Sequence, residues 1–107
     1  MRTLKFIVDG QIVKPDPKCN FENLIPGNDI KLEFIFSPEW KNYTKVVEFT
    51  SRLGFEYPPQ IVEHEKYCVV PEEALNKRFF KFRVFGKMGD SKLKTNKFEI
   101  DQNGGKV

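Results

Sequence analysis

The most regular feature of the chain is an alternation of apolar and polar positions with a period of two residues. In the segment 30–36 every second residue is apolar, namely Ile30, Leu32, Phe34 and Phe36. The same alternation recurs at 4–8, 44–50 and 78–85. Because successive residues of a strand point to opposite faces of a sheet, the pattern predicts a series of half-buried β-strands.

Turn residues and shorter runs complete the predicted strands. Asp9-Gly10 predicts a hairpin that leads into 11–13, because such a turn needs positive φ. The Pro- and Gly-containing segment 14–29 is expected to be a loop that crosses between two sheets. Pro58-Pro59 is expected to end a strand ladder, since proline has no N–H to donate. The further predicted strands are 53–57, 60–63, 67–70 and 92–100.

Helical signals are few and short. A short helical turn or tight corner is expected at 37–40, and a single turn near 71–75, where Pro71 and two acidic residues favour a helix start. A turn is expected at 86–90. Seven to nine short strands in about 100 residues indicate an all-β, antiparallel β-sandwich, with a small β-barrel as the alternative. We expect one domain over 1–101 and a flexible C-terminal tail at 102–107.

Composition excludes several classes of protein. With 39% hydrophobic and 14% aromatic residues, 11 of them Phe, the chain is too apolar to be disordered and favours a core of rings. No segment approaches the roughly 18 apolar residues of a membrane span, so no membrane association is expected. The N-terminus alternates as a strand does and lacks the apolar core of a signal peptide. Synthesis in a reducing cytoplasm is therefore expected.

Residues for catalysis or metal binding are scarce. His64 is the one histidine, and it lies between Glu63 and Glu65. Cys19 and Cys68 do not form a CxxC motif, and the sequence leaves open whether they pair. Phosphate-binding, dinucleotide-binding and zinc-protease motifs are absent. We therefore expect no enzyme activity, catalytic residues, metal, cofactor or small-molecule substrate.

The charge is unevenly distributed. Residues 77–107 hold nine basic and three acidic residues, a net charge of +6, whereas residues 1–76 carry −3. This split is typical of a nucleic-acid face, an acidic partner, packing between like subunits or a plain solvated face. Nucleic acid is disfavoured here, because the aromatic residues follow core spacing. The candidate interface residues are Ile35, Trp40, Tyr43, Phe79, Phe85, Lys87, Lys92, Lys94 and Lys97, although Trp40 alternatively closes one end of the sandwich.

Several short motifs occur in a recognisable order. After the Asp9-Gly10 hairpin, the strand 32–36 runs into Ser37-Pro38-Glu39-Trp40. The segment 68–75 reads Cys-Val-Val-Pro-Glu-Glu-Ala-Leu, and Thr95-Asn96 follows near the end. This order resembles small virion-associated modules of tailed phages and prophages of Gram-positive bacteria, in which "F.F..EW", "C.vP.E.L" and a closing "TN" recur. The resemblance covers about residues 1–102.

The resemblance implies an immunoglobulin-like β-sandwich that is made in the host bacterial cytoplasm and located in the virion. Such a module would belong to a head fibre, a head decoration or a baseplate or tail-tip appendage. Its expected partners are other phage structural proteins, with a homo-oligomer as a further expectation. The alternatives are an intracellular inhibitor of a host protein, a nucleic-acid-binding module, and a carbohydrate-binding module that uses Trp40 and Tyr43.

Overall fold

The computed structural model describes residues 1–102 of the chain. This range contains nine strands and two short helical turns, joined by loops. The strands are β1 (Arg2–Asp9), β2 (Ile12–Pro15), β3 (Ile30–Phe36), β4 (Thr44–Ser51), β5 (Glu56–Ile61), β6 (Tyr67–Val69), β7 (Phe79–Met88), β8 (Ser91–Lys94) and β9 (Phe98–Asp101). A 3₁₀ turn spans Pro38–Trp40, and the helix α1 spans Glu72–Leu75. Neither of these helical segments has the length to cross a membrane.

The strands form two sheets. Sheet A has the order β2-β1-β3-β6, and sheet B has the order β5-β4-β7-β8, with β9 also paired to β7. Every pair is antiparallel except β1 with β3, which run parallel from Arg2 opposite Ile30 to Val8 opposite Phe36. The predicted all-β sandwich is therefore confirmed, with one parallel pair that the sequence analysis did not anticipate.

Aromatic rings fill the space between the two sheets. The ring of Phe6 in β1 lies edge-on to Phe82 in β7, with 4.8 Å between centroids. Phe98 and Phe21 contact the same ring of Phe6 at 5.1 Å and 5.5 Å. Edge-to-face geometry is the favoured arrangement of such pairs. The predicted inward positions of β1, β3 and β7 are confirmed, since Phe6, Phe34 and Phe82 are all buried.

The segment between β2 and β3 does not cross between sheets, so that prediction is wrong. Both strands belong to sheet A, on opposite sides of β1. The loop carries the chain back to the start of β1, where the Arg2 N–H donates to the Asp29 carbonyl at 3.1 Å. A parallel pair needs a long return connection of this kind, because its two strands start at the same end.

The two prolines do not end the ladder, which corrects the prediction at Pro58-Pro59. Both lie within β5, which begins at Glu56 instead of at the predicted residue 53. Because β5 is the edge strand of sheet B, its outer side has no neighbour that needs an N–H donor. The register against β4 also shifts between Val47 and Phe49, which accommodates the irregular strand.

The predicted final strand 92–100 is two strands, β8 and β9, with Thr95-Asn96 at the break. The Thr95 N–H donates to the Val84 carbonyl at 3.0 Å, and the Val84 N–H donates to Thr95 Oγ1 at 2.9 Å. Asn96 turns to β2 in the other sheet, where its N–H donates to the Gln11 carbonyl at 3.1 Å and its Oδ1 accepts the Val13 N–H at 2.7 Å. The break therefore fastens the edge of sheet A to sheet B.

The predicted flexible tail begins too early, because Gln102 is fully buried. Its Nε2 donates to the carbonyls of Leu75 and Lys77 at 2.8 Å and 2.7 Å. These carbonyls lie at the end of α1 and just beyond it, where a helix leaves acceptors unsatisfied. Residues 103–107 of the predicted tail lie outside the described residues.

The indole of Trp40 closes one end of the sandwich and packs against Gly86 in β7. The predicted turn at 86–90 is too long, since it includes this residue. The indole is fully buried, and its Nε1 donates to the Gly10 carbonyl at 2.7 Å. A Cβ at Gly86 would lie 2.7 Å from Cζ3 of this indole, so only glycine fits at that position. Gly86 pairs with Lys45 in β4 and with Leu93 in β8, so it belongs to β7. This strand continues to Met88, and the turn follows only at Gly89.

Replacement of Phe82 by Ala should lower the free energy of unfolding by about 3–5 kcal/mol, because it leaves a cavity among packed rings. Phe34→Ala should cost a similar amount. Urea denaturation measures both losses. Phe55→Ala is the control, since that ring is 72% exposed and its loss should change stability by less than about 0.5 kcal/mol. A loss at Phe82 no larger than the control would contradict the strand phasing.

Gly86→Ala should destabilise the protein by about 1–3 kcal/mol, since the added methyl group must displace the buried indole of Trp40. In a Trp40→Phe background the six-membered end of the indole is gone, and the same substitution should cost less. A double-mutant cycle on unfolding free energies measures this difference. An equal cost in both backgrounds would show that the Trp40 contact does not set the penalty.

Candidate protein-interaction face

The outer face of sheet B holds most of the predicted interface residues. Phe82 and its neighbours at every second position of β7 point inward, so the intervening residues point outward. Strand pairing sets Phe85 opposite Lys94, and Lys87 opposite Lys92. The structure thereby brings together four residues that the sequence predicted separately.

Lys87, Lys92 and Lys94 form the lysine cluster. All three are exposed, and none of them makes an ion pair with any residue in 1–102. Like charges directly opposite each other on antiparallel strands are destabilising, and Lys87 and Lys92 are such a pair. The cluster therefore carries an unfavourable interaction that an acidic binding partner would relieve.

Apolar side chains adjoin the lysine cluster. Val46 in β4 lies opposite both Phe85 in β7 and Ile61 in β5, which makes one row across three strands. Ile61 is 66% exposed, and Phe85 and Val46 are half-buried. The Lys94 ammonium lies 5.9 Å from the centroid of the Phe85 ring. The apolar row offers area that a partner can bury, and the lysines beside it attract an acidic surface.

A shallow cavity of about 150 Å³ lies farther along the same face. Arg83 and Glu48 are part of its lining, and Arg83 donates to Glu48 Oε1 at 2.7 Å, so these two charges neutralise each other. Lys97 and Tyr57 line the same cavity. The predicted interface residue Lys97 is thus exposed on this face but separate from the lysine cluster.

The far end of sheet B carries a second surface, the hairpin-end patch, formed by Arg52, Leu53, Phe55, Arg78 and Phe79. The Arg52 guanidinium lies 3.4 Å from the centroid of the Phe79 ring, and that of Arg78 lies 4.7 Å from it. Leu53 and Phe55 occupy the tip of the β4–β5 hairpin and are 87% and 72% exposed. These arginine and aromatic residues are the types enriched at binding hot spots.

Carboxylates hold both guanidiniums in place. Arg52 donates to both oxygens of Glu99 at 2.9 Å and 2.8 Å, and Arg78 donates to both oxygens of Asp101 at 3.0 Å and 3.3 Å. The hydrogen bond from Arg52 lowers the pKa of Glu99 below its ordinary value of 4.5. A lowered carboxylate pKa stabilises the fold above the ordinary value, and that contribution is lost as pH falls through the lowered one. The Arg52–Glu99 pair therefore persists at neutral pH.

Three other predicted interface residues lie elsewhere. Ile35 is 60% exposed on the outer face of sheet A. Trp40 is wrong as a surface contact residue, because its fully buried indole is needed for the contacts to Gly10 and Gly86. Tyr43 is half-buried, with its ring centroid 6.1 Å from that of Trp40.

Sequence reasoning missed most of the hairpin-end patch. The predicted strand 53–57 includes Leu53 and Phe55, and alternation in a strand would bury one of its sides. The structure instead puts both residues at a hairpin tip. The signal that was available is Gly54 between two large apolar residues, since Gly54 adopts φ +98 and marks the turn. Arg52 and Arg78 carried no local signal, because they are far apart in the sequence.

The cysteines and the histidine lie apart from both surfaces. Cys19 and Cys68 are free thiols, and burial raises the pKa of Cys68 to about 12. His64 is exposed in the turn between β5 and β6. Within residues 1–102 no three His, Cys, Asp or Glu side chains are grouped so as to hold a metal ion.

Comparison with known proteins gives no assignment for this fold. No protein-family model, no curated protein and no solved structure matches the chain. The β-sandwich is therefore established by the strand pairing described above. The immunoglobulin-like subtype and the resemblance to virion modules stay predictions.

Lys92→Glu should raise the free energy of unfolding by about 0.2–1 kcal/mol, because it replaces a cross-strand repulsion with an attraction to Lys87. Thermal or urea denaturation at low ionic strength measures the gain, which should shrink in 1 M salt. The control is Lys18→Glu, which changes the net charge equally at an exposed loop position. A gain no larger than this control would contradict the repulsion between Lys87 and Lys92.

Proposed function

We propose that the chain is a non-enzymatic structural protein of a phage particle that docks onto other virion proteins through the outer face of sheet B. It forms part of a head fibre, a head decoration or a baseplate or tail-tip appendage. The virion role rests on the resemblance in motif order. The docking role is supported chiefly by one observation, the unpaired lysine cluster beside an exposed apolar row.

The chemistry of this face favours an acidic protein surface as the partner. Three ammonium groups that make no ion pair with any of residues 1–102 attract carboxylates and steer the approach of an acidic partner. Ile61, Val46 and Phe85 offer apolar area that becomes buried on contact. Single-stranded nucleic acid is held by stacking on open aromatic faces, and the half-buried Phe85 has Lys94 beside its ring, so a protein fits better.

Quantitative mass spectrometry of purified particles tests the virion role. The expected result is many copies of the chain in each particle. Absence from particles, together with expression in infected cells, would contradict the proposal. The chain would then be better explained as an intracellular inhibitor that binds an acidic host protein through the same face.

Charge reversal tests the docking face itself. The double variant Lys87→Glu and Lys92→Glu should reduce incorporation into particles by at least about tenfold, as loss of a complementary charge cluster weakens association. The matched control is Lys14→Glu and Lys18→Glu, which reverses two charges that are equally exposed but lie on β2 and the following loop. Equal incorporation of both double variants would show that sheet B is not the docking face.

A further inference from the structure

The hairpin-end patch exposes large apolar side chains on a well-ordered turn. The Ser51 N–H donates to the Phe55 carbonyl at 2.7 Å, and the Phe55 N–H donates to Ser51 Oγ at 2.9 Å. The Gly54 N–H donates to the Ser51 carbonyl at 3.0 Å. Leu53 is thus held out from the sandwich by a closed hydrogen-bonded turn, as an apolar projection with 87% of its surface exposed.

A groove lies directly beside this projection. Its volume is about 400 Å³. Apolar and aromatic side chains and three cationic ones line it, namely Leu53, Phe55, Tyr57 and Phe79 together with Arg52, Lys77 and Arg78. The two guanidiniums stacked on Phe79 are each held by a carboxylate, so the walls of the groove are fixed before anything binds. Fixed walls reduce the ordering cost of association.

The charges of the patch decide what the groove accepts. Arg52 and Arg78 are matched by Glu99 and Asp101, so these four side chains sum to zero. Lys77 is the further cation in the lining, and it makes no ion pair with any of residues 1–102. A surface that binds anions would leave its cationic side chains without ion pairs, as the lysine cluster does. The groove therefore fits an uncharged apolar side chain better than an anion. Two identical patches bring together one such lysine each, in place of the three cations of each lysine cluster.

We infer that the occupant is a second copy of this chain, in a two-fold dimer in which Leu53 of each copy enters the groove of the other. A two-fold interface must carry both complementary shapes on one surface, and the hairpin-end patch has the projection and the groove side by side. The lysine cluster lacks this property, since two copies of it would repel each other. The dimer thus leaves the outer face of sheet B near Lys87 and Lys92 available for a different partner.

Sedimentation equilibrium of the full chain between about 10 µM and 1 mM tests the inference, a range suited to a small interface. The wild-type chain should show a monomer–dimer equilibrium that persists in 0.5 M salt, because the contact is apolar. Leu53→Asp should weaken dimerisation at least tenfold. Its exposed position keeps the fold intact, which circular dichroism and thermal unfolding verify.

The matched control is Ile35→Asp, which places the same charge at an exposed apolar position on the outer face of sheet A. It should dimerise as the wild type does. A wild-type chain that is monomeric over the whole range, or a dimer that Leu53→Asp leaves unchanged, would overturn the inference. Neither result alters the copy number in particles, so failure of the dimer is distinguishable from failure of the proposed virion role.

Discussion

The contact between Phe6 and Phe82 is the interaction on which the rest of the structure depends. Their rings meet edge to face between the sheets, and each ring has further aromatic neighbours. Because side chains alternate along a strand, an inward Phe82 requires that Phe85 and Lys87 point outward. A slip of one residue in β7 would bury the lysine and expose the core ring. The position of Phe85 and Lys87 on the outer face of sheet B therefore follows from the packing of the core.

The two surfaces of sheet B differ in how their charges are satisfied. At one end, Arg52 and Arg78 are paired with carboxylates and stacked on an aromatic ring. At the other end, Lys87 and Lys92 face each other, and neither makes an ion pair with any of the described residues 1–102. In the first arrangement the arginine charges are neutralised within the fold, and Leu53 and Phe55 remain as an exposed apolar surface. The second leaves its charges unmatched within residues 1–102, so one small sandwich presents two chemically different surfaces.

Elements with strong local periodicity were predictable, and elements set by their position in a sheet were not. The strand 30–36 and the turn near 71–75 follow from their own residues and match the structure closely. Pro58-Pro59 is a strand breaker in general, yet it is accepted here because β5 is an edge. The lysines of the site were identifiable from charge alone, whereas the hairpin-end patch required residues that are distant in the sequence.

The all-β class, the inward face of each main strand and the excess of positive charge after residue 76 follow from the order of residues alone. These are local properties, since alternation and charge can be read from neighbouring residues. Three features became visible only in the folded chain. The strands β1 and β3 run parallel, and Trp40 is buried against Gly86. The guanidiniums of Arg52 and Arg78 both lie against the ring of Phe79. Each of these depends on pairing between distant segments, which a local pattern does not encode.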